Sequence, residues 1–367
     1  MDIADSKTLE FSPGRPRSAG DSAHFLVVVE GERPGWLQEF TPTLTIGRDS
    51  SCRLRFHDPS LSKVHCRLRF DGQNVRVSDL ASTNGSFVNG RRIEGDVDLL
   101  VGDLLQVGTQ VLRHELRSRA EIERERELAH DLERARDYVA ALIPAPVGAG
   151  ALRTDWCYLP SAVLGGDLFG YHALDARHTA LYLLDVCGHG AGAAMHSASV
   201  FNVLKNGTLP DTDFRRPEQV LTRLNETFQM ERHGGMYLTL WYGVFDAAER
   251  TLEYASAGHP PALLRRGSEL VHLQTRNPPI GVIEGRSYAR SSAATRPGER
   301  LYLFSDGVFE IRDHAGREWA LEDFERLVLE PAEPGLAESE RLRRSVIRAK
   351  PDERFEDDFS LLVVSFD

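Results

Sequence analysis

Cysteine is scarce in this chain, and long apolar runs are missing. The 367 residues include four cysteines, none in a Cys-x-x-Cys pair. The first residues, MDIADSKTLEF, have neither the basic start nor the apolar core of an export signal. No uninterrupted apolar stretch approaches the roughly 20 residues of a membrane-spanning helix. These absences predict a soluble protein of the reducing cytoplasm with no membrane partner.

The chain also lacks an excess of positive charge. Lysine and arginine number 44 against 55 aspartates and glutamates, which gives a formal net charge of -11. A protein that binds a nucleic-acid backbone needs clustered basic residues, so nucleic acid is not an expected partner. A hydrophobic fraction of 41% is enough to build packed interiors. The length fits two domains.

The first third of the chain shows no helical periodicity. Residues 1–22 are polar and rich in proline and glycine, which predicts a disordered lead. Residues 23–115 alternate short β-rich runs such as FLVVV, TLTIG and CRLRF with turn signals such as Asn89-Gly90. This pattern predicts an all-β sandwich.

Residues 116–144 change character and predict a helical linker. Glu, Arg, Ala and Leu dominate, and no Gly or Pro occurs before Pro144. The apolar positions follow an a/d pattern: Leu128, Leu132, Ala135, Val139 and Leu142. So short a seam could pair two chains in a homodimer or dock on the next domain, and we favour the homodimer.

Residues 145–367 interleave apolar strand-like runs with helical ones. The predicted helices are Ala191 to Lys205, Pro217 to Glu231, Leu321 to Leu329 and Leu336 to Ala349. Neighbouring strands joined by short turns favour two antiparallel sheets flanked by helices over a doubly wound parallel sheet. The fold class predicted for this domain is therefore α+β.

Four aspartates lie at the ends of apolar or glycine-rich runs in this second domain. Asp167 follows Gly165-Gly166, Asp185 ends TALYLLD, Asp306 ends ERLYLFSD, and Asp357 precedes FSLLVVSF. Because glycine has no Cβ, we interpret the two glycines as allowing the backbone to approach an ion. Carboxylate oxygens are the ligands that Mg²⁺ and Mn²⁺ prefer, so the pattern predicts a metal centre in a hydrolase.

The motifs GGDLF, LLDVCGHG, AGHPPALL, LYLFSDGVFE and EDDFSLLVV closely resemble the PPM (type 2C) metal-dependent protein phosphatases of the bacterial sporulation and general-stress branch. The resemblance implies a four-layer αββα sandwich. It also implies two Mn²⁺ or Mg²⁺ ions held by Asp167, Asp185, the Val186 carbonyl, Asp306 and Asp357, with Asp167 and Asp185 as the catalytic pair. The implied reaction is direct hydrolysis of a phosphoprotein by an activated water.

Two features of this chain affect the assignment of metal ligands by resemblance. Relatives commonly read GGDYYD, whereas this chain has Gly170 at the position of the second acid. Asp357 and Asp358 are adjacent, and either could face the metal. We favour Asp357, because the family pattern uses the first of the pair and strand alternation then directs its neighbour away.

The first domain carries a second set of motifs: LTIGR, LSKVH and DLASTNGSFVNG. The series resembles a forkhead-associated (FHA) domain, a β-sandwich that recognises phosphothreonine peptides through its loops. The resemblance implies that Arg48, Ser62 and Lys63 hold the phosphate, while Thr83 and Asn84 contact phosphate or peptide backbone. Guanidinium and hydroxyl donors suit a dianionic phosphate. His65 is interpreted as a buried support for these loops.

Our first hypothesis is therefore a metal-dependent serine/threonine protein phosphatase that is recruited or regulated through a phosphothreonine-binding module. Its implied substrate is a phosphorylated protein such as an anti-sigma-factor antagonist. The alternative is a phosphopeptide-binding adaptor with a catalytically degenerate second domain, for which Gly170 is the only support. A third hypothesis is hydrolysis of a small phosphoester.

Overall fold

The computed structural model describes residues 22–351 and 354–367 and divides the chain into two units at Ala129/His130. The predicted disordered lead falls almost wholly on residues 1–21, which lie outside the described residues. Its last residue, Ser22, already belongs to a strand. In the described part, no helix combines the length and apolarity needed to cross a membrane.

The first unit is built from two β-sheets. One has the strand order β2-β1-β11-β10-β7-β8 and the other β4-β3-β5-β6-β9. The strands are β1 (Ser22–Glu30), β2 (Leu37–Glu39), β3 (Thr43–Gly47), β4 (Leu54–Arg55), β5 (Cys66–Phe70), β6 (Val75–Asp79), β7 (Ser86–Val88), β8 (Arg91–Arg92), β9 (Asp96–Leu99), β10 (Leu104–Val107) and β11 (Gln110–Ser118). The predicted all-β sandwich is confirmed.

Alternating side chains form the interior of this sandwich. Leu44 and Ile46 on β3 and Leu68 on β5 are fully buried, while the residues between them face outward. Asn89 and Gly90 join β7 to β8, both with positive φ (51° and 77°), as a type I′ hairpin turn requires. Sequence pattern and turn chemistry agree along this unit.

Helix α1 (Arg119–Ala140) is shorter than the predicted linker of residues 116–144. Residues up to Ser118 instead extend β11, because Ser118 pairs with Ser22 of β1. In the first unit Ile122 packs on Ala23 and Phe25. In the second unit four seam residues pack into the apolar core, namely Leu132, Ala135, Val139 and Leu142.

Leu128 is the seam residue left 61% exposed. Most of the a/d seam is thus used within the chain, which supports the docking alternative. Pairing of two chains through this helix stays a prediction.

The second unit contains two antiparallel sheets, ordered β12-β21-β20-β17-β18 and β13-β14-β15-β16-β19. Its strands are β12 (Leu152–Leu159), β13 (Asp167–Ala173), β14 (His178–Val186), β15 (Leu238–Asp246), β16 (Thr251–Ala257), β17 (Ala262–Arg266), β18 (Glu269–Leu273), β19 (Ser291–Ala294), β20 (Arg300–Phe304) and β21 (Phe359–Phe366). Its α-helices are α2 (Ala191–Asn206), α3 (Pro217–Thr227), α4 (Leu321–Leu329) and α5 (Glu338–Ala349).

The helices cover the outer faces of the two sheets. Helices α2 and α3 lie on the sheet of β13 to β16, and α4 and α5 lie on the other sheet. Both faces of the central strands are therefore buried, which explains why β14 and β15 are almost continuously apolar. The predicted αββα sandwich is confirmed.

Candidate functional site

The strands β13, β14 and β15 bring three polar residues side by side at one end of their sheet. Asp167 pairs directly with Asp185, and Asp185 pairs directly with Thr239. Directly opposed residues in antiparallel strands project from the same face with their Cβ atoms about 5 Å apart. The register alone thus places two of the predicted ligands together.

Asp185, Asp306 and Asp357 line one cavity of about 280 Å³. Asp306 enters from a short 3-10 helix, Asp306–Val308, just after β20, and Asp357 comes from the segment before β21. Asp167 lies deeper, with 2% of its surface exposed. The remaining lining residues are Ser161, Cys187, Gly188, His189, Tyr237, Thr239 and Glu356.

The carboxylates oppose one another's ionisation. Burial, together with the charges of Asp306 and Asp357, raises the pKa of Asp185 to about 7. Burial, with the charges of Asp357 and Glu310, raises the pKa of Asp306 to about 6. The pKa values of Asp357 and Asp167 are also raised, in both cases first by burial. A positive charge placed among them would reverse these shifts.

The donor set fits divalent cations. In residues 22–351 and 354–367, none of the four aspartates forms an ion pair with Lys or Arg. Oδ2 of Asp167 is buried there without a hydrogen-bond partner. No group of three or more Asp, Glu, His or Cys residues in that part is arranged to hold a metal ion by itself. Mg²⁺ commonly takes only one or two carboxylates and keeps several waters, so carboxylates spaced in this way suit it.

Gly165 and Gly166 are surrounded closely by other groups of the protein. A Cβ on Gly165 would stand 2.3 Å from the Asp358 carboxylate, and one on Gly166 would stand 2.7 Å from the Val186 carbonyl oxygen. The glycines therefore make room for protein groups. The Val186 carbonyl thus lies close to the backbone of Gly166, the residue before Asp167, and Val186 itself is fully buried.

Asp357 and Asp358 are placed differently. Asp357 lines the cavity, whereas Asp358 is 3% exposed and accepts four hydrogen bonds. Its Oδ1 accepts from the N–H (2.7 Å) and hydroxyl (2.9 Å) of Ser161, and its Oδ2 from the N–H groups of Gly166 (2.7 Å) and Asp167 (3.2 Å). Asp358 thus fixes the backbone that presents Asp167.

Gly170 lies opposite Tyr182 on β14. Strand alternation puts residues 167 and 170 on opposite faces. A Cβ at Gly170 would stand 2.5 Å from the Tyr182 ring, which is 1% exposed and stacked on Tyr242. An acid at position 170 would meet this ring rather than the cavity of the other carboxylates.

Replacing Gly170 with aspartate is expected to lower the free energy of unfolding by about 2 to 3 kcal/mol, because the Tyr182 ring has no room to move. Urea denaturation measures the change, and manganese titration should show no tighter binding. Gly148→Asp is the matched control, since nothing lies within 4 Å of its Cβ position. Tighter manganese binding by Gly170→Asp would show that an acid there reaches the metal centre.

Thr239 is a site residue that sequence reasoning missed. Its Oγ1 is buried without a hydrogen-bond partner in the described part of the chain, and the residue lines the cavity beside Asp185. In sequence it is one polar residue inside MYLTLWYGVFD, and only the register of β14 with β15 reveals its place. Ser161, in the loop after β12, and Tyr237, just before β15, also line the cavity and were missed.

The five residues predicted to bind phosphopeptide lie in three adjoining loops of the first unit. The backbone N–H of Arg48 donates to the Ser62 carbonyl (3.2 Å), and the Ser62 hydroxyl accepts from the backbone N–H of Thr83 (3.0 Å). Asn84 donates its side-chain amide to the Ser60 carbonyl (2.8 Å). Arg48 and Lys63 are exposed. Part of the donor capacity of Asn84 is thus used in holding two loops together.

His65 connects these loops from within. It is fully buried, its Nδ1 accepts the N–H of Ser62 (3.1 Å), and its Nε2 lies 3.1 Å from the Gly85 carbonyl. Because Nδ1 accepts, the ring proton sits on Nε2 and is donated to Gly85. This geometry matches the predicted supporting role.

The second unit has the fold of the PP2C phosphatases. The SiaA-PP2C domain of Pseudomonas aeruginosa aligns with a TM-score of 0.57 at 18% identity, over 66% of this chain and 98% of that one. A model described as FHA domain matches residues 44–108. A model described as Stage II sporulation protein E (SpoIIE) matches residues 175–367, just over half of the chain. The chain therefore belongs to the SpoIIE family.

Two proteins of Bacillus subtilis are similar to about half of this chain. Phosphoserine phosphatase RsbP is 31% identical over 182 residues, covering 49% of this chain and 45% of its own. Phosphoserine phosphatase RsbU is 26% identical over 210 residues, covering 56% and 61%. The chain thus spans about half the length of these relatives.

Proposed function

We propose that this protein is a metal-dependent serine/threonine protein phosphatase. The observation that carries the proposal is the cavity of Asp185, Asp306 and Asp357, with Asp167 buried nearby and no Lys or Arg ion pair to these aspartates in the described residues. RsbP and RsbU, to which about half of this chain is similar, are named phosphoserine phosphatases. The proposed substrate is a phosphorylated protein such as an anti-sigma-factor antagonist.

Each residue has a distinct part in the proposed mechanism. Asp185, Asp306 and Asp357 would hold two Mn²⁺ or Mg²⁺ ions from three different chain segments, with Asp167 and the Val186 carbonyl behind them. When bound, such ions make water acidic enough to ionise near neutral pH and neutralise charge on phosphoryl oxygens. Asp358, Gly165 and Gly166 keep the backbone of Asp167 in place, so the ligands are positioned before any ion or substrate arrives.

Hydrolysis of p-nitrophenyl phosphate by the full chain, with and without Mn²⁺, tests the proposal. We expect turnover that depends on the ion. A folded protein that hydrolyses neither this compound nor a phosphopeptide at saturating Mn²⁺ would contradict it. Equal or better hydrolysis of metabolite phosphates would instead favour the small-phosphoester hypothesis.

No observation favours the degenerate adaptor. Its support was the acid missing at position 170, and that position faces Tyr182 on the side of the strand away from Asp167. The chain keeps the other carboxylates of the family pattern, and three of them line one cavity. The hypothesis of a catalytic second unit is therefore better supported than that of a degenerate one.

The first unit is proposed to recruit or regulate the phosphatase by binding a phosphothreonine protein. Arg48 and Lys63 are exposed on the loops that meet at Ser62, and His65 hydrogen-bonds to two of these loops from within. Neither basic group is in a salt bridge within the described residues, so both are available to a dianion.

Arg48→Ala is expected to weaken binding of a phosphothreonine peptide by about tenfold to a hundredfold, because a charge-assisted hydrogen bond is lost. Fluorescence polarisation with a labelled degenerate phosphothreonine peptide library measures this, with the unphosphorylated library as blank. Arg124→Ala, an exposed arginine on α1, is the matched control and should bind like wild type. Equal affinity for both libraries would exclude phosphate recognition.

The end of α1 is proposed to transmit a signal to the phosphatase. Leu132→Ser combined with Val139→Ser is expected to change kcat for p-nitrophenyl phosphate by about fivefold, since these residues pack into the apolar core of the second unit. Leu128→Ser alters an exposed residue of the same seam and should leave kcat unchanged. Unchanged turnover in the double variant would count against a transmitting role.

A further inference from the structure

A second cavity, of about 540 Å³, adjoins the carboxylate cavity. Glu356 lines both of them. The new cavity is built mainly by the segment that follows the Asp306–Val308 helix, where Arg312 and Glu318 form an antiparallel bridge. We call it the 309–321 groove; its lining is Phe309, Glu310, Ile311, Arg312, Glu318, Trp319, Ala320, Leu321 and Glu356.

The groove has an apolar floor anchored in the core. Ile311 is 5% exposed, and Phe309, Trp319 and Leu321 pack against the cluster that contains it. The backbone N–H of Trp319 donates to the Ile311 carbonyl (2.9 Å), which fixes the two sides of the groove to each other. The apolar surface is therefore preformed, as binding clefts usually are.

Uncompensated negative charge lies where the groove meets the carboxylate cavity. Arg312 is paired with Glu318 (2.6 Å). Glu310 and Glu356, both exposed, form no ion pair within residues 22–351 and 354–367. Two bound metal ions would neutralise the aspartates of the neighbouring cavity but would leave these two glutamates to face the ligand.

We propose that the 309–321 groove binds the peptide segment beside the phosphorylated residue of a protein substrate, and that it selects a basic side chain near the phosphoresidue and an apolar side chain beyond it. The inference rests on the proposed phosphatase function. Glu310 and Glu356 attract the basic group and repel an acidic one, while the Trp319 face accepts the apolar side chain. Specificity thus comes from a surface next to the reacting phosphate.

Phosphoserine peptides of one length test this, with arginine, glutamate or alanine next to the phosphoserine on either side and leucine or alanine further along. With wild type and Mn²⁺, kcat/KM should favour arginine over glutamate by about tenfold. The double change Glu310→Gln and Glu356→Gln should reduce this preference to about twofold. Trp319→Ala should abolish the preference for leucine over alanine, expected to be about fivefold in wild type.

Glu269→Gln is the matched control, because Glu269 is an exposed glutamate on the edge strand β18 of the same unit. Its peptide preferences should equal those of wild type. Hydrolysis of all the peptides with equal efficiency by wild type would overturn the groove proposal alone. So would a preference that survives the double change. Failure of wild type on every peptide and on p-nitrophenyl phosphate would instead overturn the phosphatase function on which the proposal rests.

Discussion

Asp185→Asn is expected to lower kcat for p-nitrophenyl phosphate by about three orders of magnitude. Asparagine keeps the shape of the side chain but removes its negative charge. Asp185 pairs with Asp167 on the neighbouring strand and lines the same cavity as Asp306 and Asp357. Metal ions contribute several kcal/mol of transition-state stabilisation, and each 1.36 kcal/mol is a factor of ten in rate. The measurement is kcat at saturating Mn²⁺, with manganese affinity determined separately by calorimetry.

Asp211→Asn provides the control for this experiment. Asp211 is exposed and has a positive φ of 46°, which asparagine tolerates as well as aspartate does. This variant should keep wild-type turnover and wild-type manganese affinity. An Asp185→Asn enzyme that kept more than about a tenth of wild-type kcat, with unchanged manganese affinity, would show that hydrolysis does not use this centre.

Asp358→Asn is expected to lower the free energy of unfolding by about 2 to 3 kcal/mol. Both carboxylate oxygens of Asp358 accept two hydrogen bonds each, so either orientation of an amide turns an N–H group toward existing donors. A buried donor left unsatisfied costs about 1 to 3 kcal/mol. Urea denaturation of the full chain, followed by the fluorescence of its tryptophans, measures the loss.

Asp357→Asn is the informative comparison. The pKa of Asp357 is raised on folding, first by burial, so its ionised form destabilises the metal-free protein above that pKa. Its neutral replacement should therefore leave the free energy of unfolding unchanged or higher, while kcat falls. The opposite pattern, an unstable Asp357→Asn and a stable but inactive Asp358→Asn, would exchange the roles assigned to the two residues.

Local sequence signals predicted several elements well. Helix α4 has the predicted bounds, Leu321–Leu329, because its apolar residues recur at helical spacing and a carboxylate in its first turn favours helix initiation. The linker was predicted less well. Residues up to Ser118 look helical by composition, yet they extend β11, since pairing with β1 outweighs local propensity.

The candidate site was predicted in part. Its carboxylates could be found because Asp185 and Asp306 end apolar runs, Asp167 follows two glycines and Asp357 precedes an apolar run. Two other features could not be found in this way: Gly170 lies against Tyr182, and Thr239 lies beside Asp185. Both depend on the register between neighbouring strands, which a single strand's pattern leaves open.

The sequence by itself determined the two kinds of domain, the helix between their sheets and the acidic residues available to hold metal, because these follow from periodicity, turn chemistry and motif spacing along the chain. Only the tertiary structure decided which acid is a scaffold and which faces the cavity. Asp358 meets Ser161, Gly166 and Asp167 across about 190 residues of chain, and the 309–321 groove exists only once its two sides pack on one core. Contacts of such sequence separation depend on how whole sheets assemble, so no local pattern encodes them.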